Sequence, residues 1–404
     1  MSATKAKRKP RPVPRRESTL PRREPWRLPR IDLPCGAQER VDTDGLARRL
    51  VRCLREQGAP CKVARVIVGP SVLRFELVPD DAVPMRYFTR LGRAQDIAYA
   101  LSSAPVTIAA PIPGRSAVGI EVPLPEESRR LVTLGDVAEV AQAPLMASMG
   151  LTVDEEPLYY DLASGPHTLC VAQSGGGKSS LVRGMLASLL LKASPDELGI
   201  LAIDPKIVEL SAFNGIPHMY SDVVTDARTA VDALSWVLAE CEARYKLISR
   251  HGYRDLDEYN ARSPEGHVPT MLVVCDEFAD LILQAKEQVE GLVARIAAKG
   301  RAAGIHLLLC TQTCKREIVT GVLRANLPAR IALRTASAVD SRLVLERAGA
   351  EALLGRGDAI LSDGRGTSTR FQAAHIDSET LTTIVRHWKG ENVFRETRQN
   401  EGGS

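Results

Sequence analysis

The chain has 404 residues, enough for two or three domains at about 100–200 residues each. Its 44% hydrophobic and 25% charged residues are ordinary globular proportions, and 4% aromatics argue against broad aromatic binding platforms. The net charge of +4 is unevenly divided: residues 1–32 carry a balance of +8, which leaves −4 for the remainder. No apolar run reaches the roughly 18 residues of a membrane-spanning helix. The basic start leads into proline and arginine rather than an apolar stretch, so no secretory signal is expected. Eight cysteines without a C-x-x-C pair suit a reduced, cytoplasmic protein.

Residues 1–35 are rich in proline and arginine and poor in apolar side chains, so they are expected to form a disordered tail. That tail is either merely solvated or a basic arm for an acidic partner such as DNA. Residues 36–130 read as a small α+β domain. Asp42, Thr43 and Asp44 offer caps for a helix with Leu46, Leu50, Val51 and Leu54 on one face. Strand-like runs at 62–68 and 71–78 follow, broken by Gly69-Pro70, then a helix near 86–102 and short strands near 106–110 and 117–122 around Pro113-Gly114. Nothing in this domain has catalytic spacing, so it reads as a packing or assembly module. A linker is expected over 131–165.

Over 166–380 short apolar runs alternate with helical stretches. The runs Thr168–Ala172, Ile200–Ile203, Met271–Cys275, Ile305–Cys310 and Ile331–Leu333 are continuously hydrophobic, as strands buried on both faces are. They predict an α/β domain with a mostly parallel sheet between helices. A polar tail is expected over 381–404.

The chemistry lies in that domain. Ala172, Gln173, Ser174, Gly175, Gly176, Gly177, Lys178 and Ser179 follow an apolar strand and, with Ser180, open a helix. This is a phosphate-binding loop with alanine at the usual first glycine. Its glycines let successive N–H groups face phosphate oxygens, Lys178 reaches the β- and γ-phosphates of ATP, and Ser179 can ligate Mg²⁺. The helix N-terminus adds its partial positive charge. About a hundred residues on, strand Met271–Cys275 ends in Asp276-Glu277. Asp276 is assigned to Mg²⁺ and Glu277 to the attacking water, as its base. Gln312, just past strand Ile305–Cys310, is placed to sense the γ-phosphate. Together the three elements specify a P-loop nucleoside triphosphatase.

Beyond these elements, P-H-T-L-C-V-A-Q-S-G-G-G-K-S, I-D-P-K-I-V-E-L (203–210), G-I-P-H (215–218), D-E-F-A-D-L (276–281), R-A-A-G-I-H (301–306) and A-R-I-A-L-R (329–334) resemble FtsK/SpoIIIE DNA translocases. G-P-S-V-L-R-F-E-L (69–77) and P-G-R-S-A-V-G-I-E-V-P (113–123) resemble that family's α domain. The resemblance implies a RecA-like P-loop domain beside a smaller N-terminal α+β domain, in a hexameric ring with double-stranded DNA through its pore. It also implies that Arg301 is an arginine finger for a neighbouring subunit's ATP, and that DNA-facing loops carry Lys315, Arg316 and Arg342. The sequence departs from the family at Thr313 and Ala338, where arginine and lysine are common, which points to fewer pore charges and a weaker grip on DNA. Membrane spans and a winged-helix DNA reader are not expected, leaving a soluble motor. A type VII secretion-like ATPase moving protein is the alternative function. A nucleotide-switched regulator is a further one, against which Asp276-Glu277 and Arg301 speak.

Overall fold

The computed structural model describes residues 26–36, 41–80, 83–90, 92–110, 112, 115–138, 143–263 and 266–390. In the small domain, α1 (Thr43–Glu56) starts where the Asp42 side chain accepts from the Gly45 N–H, and it buries Leu50, Cys53 and Leu54. Strands β1 (Cys61–Val68) and β2 (Val72–Pro79) pair antiparallel across Gly69-Pro70. Helix α2 (Arg93–Leu101) and strands β3 (Thr107–Ala109) and β4 (Val118–Pro123) complete a sheet of order β1-β2-β4-β3. Phe75, Leu77, Ile97 and Ile120 close its core. Helix α2 is shorter than the stretch 86–102 because Gly92 stands at φ +84°, outside right-handed helix, and residues 85–87 form a separate 3-10 turn. The turn at Pro113-Gly114 lies outside the described residues.

The large domain is built on one nine-stranded sheet. Its elements are α3 (Gly135–Ala138), β5 (Met146–Thr152), β6 (Pro157–Asp161), β7 (Thr168–Val171), α4 (Lys178–Leu190), β8 (Leu198–Ile203), α5 (Ala227–Arg250), α6 (Leu256–Arg262), β9 (Thr270–Cys275), α7 (Phe278–Lys299), β10 (Ile305–Thr311), α8 (Gly321–Asn326), β11 (Ala329–Leu333), α9 (Ala338–Leu345), β12 (Asp358–Ser362), β13 (Ser368–Ala373) and α10 (Ser378–Lys389). The strand order is β6-β5-β13-β12-β11-β7-β10-β9-β8. All five apolar runs named above are strands, and they form the parallel part, with β7 between β10 and β11. Alternate residues feed two cores: Leu169 and Val171 join α5 and α7 on one face, Cys170 and Ala172 join α4 and α10 on the other. The fold is therefore α/β, a P-loop domain with a smaller N-terminal α+β domain.

Three boundaries differ from expectation. Residues 131–165 are not a bare linker, because β5 and β6 extend the large sheet antiparallel beyond β13. Of the tail, residues 1–25 lie outside the described residues, while 26–35 is an extended segment docked on the large domain. Trp26 donates to Asp196 at 3.1 Å and packs 6.1 Å from the Trp388 ring, and Thr133 donates to the Pro34 carbonyl at 2.5 Å. Residues 381–390 are not a polar tail either. They continue α10, which buries Leu381, Ile384, Val385 and Trp388, and the rest of that segment lies outside the described residues.

Candidate nucleotide-binding site

The phosphate loop bridges the C-terminal end of β7 and the start of α4, where the first helical N–H groups have no acceptor in their own helix. Ala172 is buried, and its N–H donates to the Thr311 carbonyl at 3.1 Å, tying the loop to β10. The Gln173 N–H donates to the Arg334 carbonyl at 2.9 Å, and Ser174 is exposed. Gly175 and Gly177 stand at φ +75° and +104°; a Cβ on Gly177 would meet the Gly357 nitrogen at 2.3 Å. Glycine is required there for both conformation and space. Lys178 is buried and donates to Asp276 Oδ1 at 2.5 Å and to the Asp276 carbonyl at 3.0 Å. Burial alone would push the ammonium's pKa down; the Asp276 charge and hydrogen bond help carry it above its usual value, so Lys178 is charged. Burial likewise raises Asp276, against the pull of Lys178 and with that of Asp204 and Glu209.

Ser179 Oγ donates to Glu209 Oε1 at 2.6 Å, and Glu209 also pairs with Arg183 at 2.7 Å. Ser180 Oγ lies 3.0 Å from His375 Nδ1. Next to Asp276, Glu277 is 1% exposed and saturated with partners. Its Oε1 accepts from the Thr311 hydroxyl at 2.6 Å and the Gln312 N–H at 3.1 Å, while Lys206 Nζ lies 3.2 Å from Oε2. Gln312 is exposed and lines the phosphate-loop cavity of about 340 Å³ together with Lys178, Ser179 and Arg183. The structure thus gathers every residue assigned to the loop, plus Asp276, Glu277 and Gln312, at one edge of the sheet. It adds Lys206, Glu209, Thr311 and His375. Lys206 and Glu209 stand in I-D-P-K-I-V-E-L, a stretch legible as a motif but silent about roles.

Arg301 is not in that group. It follows α7 and precedes β10, at the N-terminal edge of the parallel strands, where it is exposed and donates to the Ser164 carbonyl at 3.1 Å. The phosphate loop is at the opposite, C-terminal edge. Seven-residue β10 spans roughly 20 Å at about 3.3 Å per residue, beyond one side chain's reach. Beside Arg301 lie two buried histidines, His167 and His306, which burial and the Arg301 charge depress to about 4 and about 3, so both are neutral.

Lys315, Arg316 and Arg342 are all exposed. Cys314 Sγ donates to the Asp340 carbonyl at 3.4 Å, so the loop after β10 and helix α9 are neighbours and their three cations share one region. That region begins three residues past Gln312, whose N–H touches Glu277.

An FtsK alpha domain model matches residues 35–124, and an FtsK/SpoIIIE family model matches residues 132–316. The DNA translocase FtsK of Streptomyces coelicolor is 37% identical over 382 residues, covering 89% of this chain and 41% of that protein. The DNA translocase SftA of Bacillus subtilis is 40% identical over 348 residues, covering 84% of this chain and 36% of that protein. SpoIIIE of the same organism is 38% identical over 383 residues, covering 90% and 48%. The chain therefore spans between a third and a half of the length of these relatives. Among solved structures, the pCW3 conjugation coupling protein TcpA, in a monomer form with ATPγS, superposes with a TM-score of 0.60 at 19% identity over 85% of this chain and 99% of that one. The cytoplasmic domain of the type VII secretion ATPase EccC from Thermomonospora curvata gives a TM-score of 0.54 at 29% identity, covering 61% and 31%.

Proposed function

The chain belongs to the FtsK/SpoIIIE family, and from that premise we propose that it is an ATP-hydrolysing motor that moves double-stranded DNA. The observation that carries this reading is the linkage of site to cations. One stretch of backbone runs from Thr311 and Gln312, which hold Glu277, to exposed Lys315 and Arg316 beside Arg342. A pull on those cations by DNA phosphates therefore acts directly on the residues that position the base.

The residues present fit ATP. The loop offers consecutive N–H groups, a buried ammonium at Lys178 and a cavity of about 340 Å³. For Mg²⁺, the Ser179 hydroxyl and the Asp276 carboxylate are hard oxygen donors of the right kind. Among the described residues, no three His, Cys, Asp or Glu side chains form a metal site by themselves. That suits an ion held partly by phosphate oxygens. The metal, when bound, neutralises charge on the phosphates. Lys178 binds the β,γ-phosphates, Glu277 orients a water and takes its proton, and Gln312 hydrogen-bonds the γ-phosphate.

Arg301 cannot complete its own subunit's site, so it serves the site of a neighbouring copy, stabilising charge on the transferring phosphoryl. A ring, with six copies as the family's form and DNA through its centre, follows from repeating that head-to-tail contact until it closes. The DNA translocase relatives cover 84–90% of the chain, small domain included, whereas the secretion ATPase covers 61%. This favours DNA over protein as the moved polymer. No helix among the described residues is long and apolar enough to cross a membrane. The test is ATP hydrolysis with and without long duplex DNA. Stimulation of at least tenfold by duplex supports the reading, and turnover indifferent to DNA rejects it.

A further inference from the structure

The two faces of the small domain's sheet meet different surroundings. On one face Arg74 and Glu121 reach the large domain, at Asp154 and Arg370. On the other, α1 lays Leu50, Cys53 and Leu54 against Leu73, Phe75, Leu77 and Ile120. The outer side of α1 therefore points away from the nucleotide-binding domain. It carries a row of exposed arginines, Arg48, Arg52 and Arg55, at i, i+4 and i+7. On a helix these lie within an arc of about 60° and span about 10 Å. Like charges at that spacing repel and weaken the helix. Arginines of other helices relieve such repulsion with a carboxylate: Arg244, Arg262 and Arg295 reach Glu240, Glu258 and Glu242 at 3.0, 2.8 and 3.7 Å. Among the described residues, the side chains of Arg48, Arg52 and Arg55 have no hydrogen bond or ion pair, and neither acid of the helix, Asp44 nor Glu56, pairs with them. Arg49, by contrast, is committed to the fold: it donates to the Ala100 carbonyl at 2.7 Å and ties α1 to α2.

We propose that Arg48, Arg52 and Arg55 are a second contact to the duplex DNA backbone, held by the small domain alone and separate from Lys315, Arg316 and Arg342. A guanidinium fork matches a pair of phosphate oxygens, and it stays charged at any working pH. Duplex DNA carries one charge per about 1.7 Å of axis, so a 10 Å row faces about six phosphates, enough for one per arginine. Binding them cancels the repulsion along the row, which nothing in the described chain relieves. Every exposed residue of α1 is charged, so the row lacks the apolar anchors that a membrane surface or a dry protein contact needs. The row lies on the side of the small domain away from the phosphate loop, so this contact needs no ATP. It holds duplex whatever nucleotide the large domain carries. The inference takes from the motor reading only that DNA is the polymer.

The experiment measures binding of the full chain to a fluorescent duplex by anisotropy, without nucleotide, over a series of salt concentrations. Arg48→Gln with Arg52→Gln and Arg55→Gln removes the charges from a helix that glutamine suits. Affinity at low salt should fall at least tenfold, and the slope of log affinity against log salt should shrink by about 2–3. An unchanged slope overturns the proposal. The triple lysine variant keeps the charges and should bind within about threefold of the wild type. If it loses as much as the glutamine variant, the arginines serve the fold and not the phosphates, which overturns the proposal. Flotation with phosphatidylserine vesicles tests the other polyanion: flotation that depends on the three arginines makes a membrane the occupant and overturns it as well. Wild-type turnover indifferent to duplex rejects the motor reading alone, because the salt slope is read without ATP.

Discussion

Arg370 of the large domain, its side chain 10% exposed, donates to Oε2 of the buried Glu121 of the small domain at 2.6 Å. The same guanidinium donates to Asp358 at 2.7 Å, and Glu121 also accepts from Arg74 at 2.8 Å, which in turn reaches Asp154 of the large domain at 2.8 Å. The domains are thus joined by a chain of alternating charges rather than by a linker alone. At its centre Glu121 and Asp358 are almost fully buried, so each depends on the Arg370 guanidinium, and separating the domains there would leave charge unpaired out of water.

Arg370→Ala should cost about 3–5 kcal/mol, since it leaves Glu121 and Asp358 as facing buried carboxylates. Denaturant unfolding monitored by circular dichroism measures this, and a loss below 1 kcal/mol contradicts it. The joint also has a pH signature. Burial alone would raise Glu121, but Arg370 and Arg74 outweigh it and hold the carboxyl below its ordinary value of 4.5. Its stabilising contribution is therefore complete above 4.5 and lost as pH falls below that value toward the depressed folded-state pKa. Arg370→Ala should flatten this acid limb.

Lys178→Ala should abolish nucleotide turnover by removing the buried contact to the β,γ-phosphates and leaving Asp276 unpaired. Near wild-type hydrolysis by the purified variant would show that the loop is not the active site.

Glu277→Gln should bind ATP within a fewfold of wild type while turnover falls by at least about 10²-fold, because an amide cannot take the water's proton. Lost binding in a fluorescent-nucleotide titration would instead make Glu277 a structural partner of Thr311 and Lys206.

The central parallel strands were legible because burial on both faces leaves them almost wholly apolar: Met271–Cys275 has no polar position and Ile305–Cys310 only the buried His306. The antiparallel extension was not. In β6 and β13 most residues are only half-buried, so neither continuous nor alternating hydrophobicity marks them. Helix α10 did carry a signal: Leu381, Ile384, Val385 and Trp388 recur at helical spacing after the Asp377 cap. In the site, Lys178, Asp276 and Glu277 were legible because their chemistry fixes their spacing from a strand end. Lys206 and Glu209 were not, since their roles arise from a loop whose shape depends on five backbone bonds to Asp204.

Arg301→Ala should bind ATP normally yet lose turnover on the order of 10³-fold. Mixed with Glu277→Gln subunits, it should recover part of the rate, since some interfaces then pair an intact Glu277 with an intact Arg301. A lone Arg301→Ala variant with normal DNA-stimulated turnover would mean that no neighbour's guanidinium is used.

Movement along duplex is tested most directly by displacement of a fluorescent third strand from a DNA triplex placed at the end of a long duplex. The wild-type chain should release the third strand only with ATP and Mg²⁺, with a lag that lengthens in proportion to the duplex between entry point and triplex. Glu277→Gln should release none. ATP hydrolysis without displacement at any duplex length would contradict translocation and leave a DNA-bound ATPase in its place.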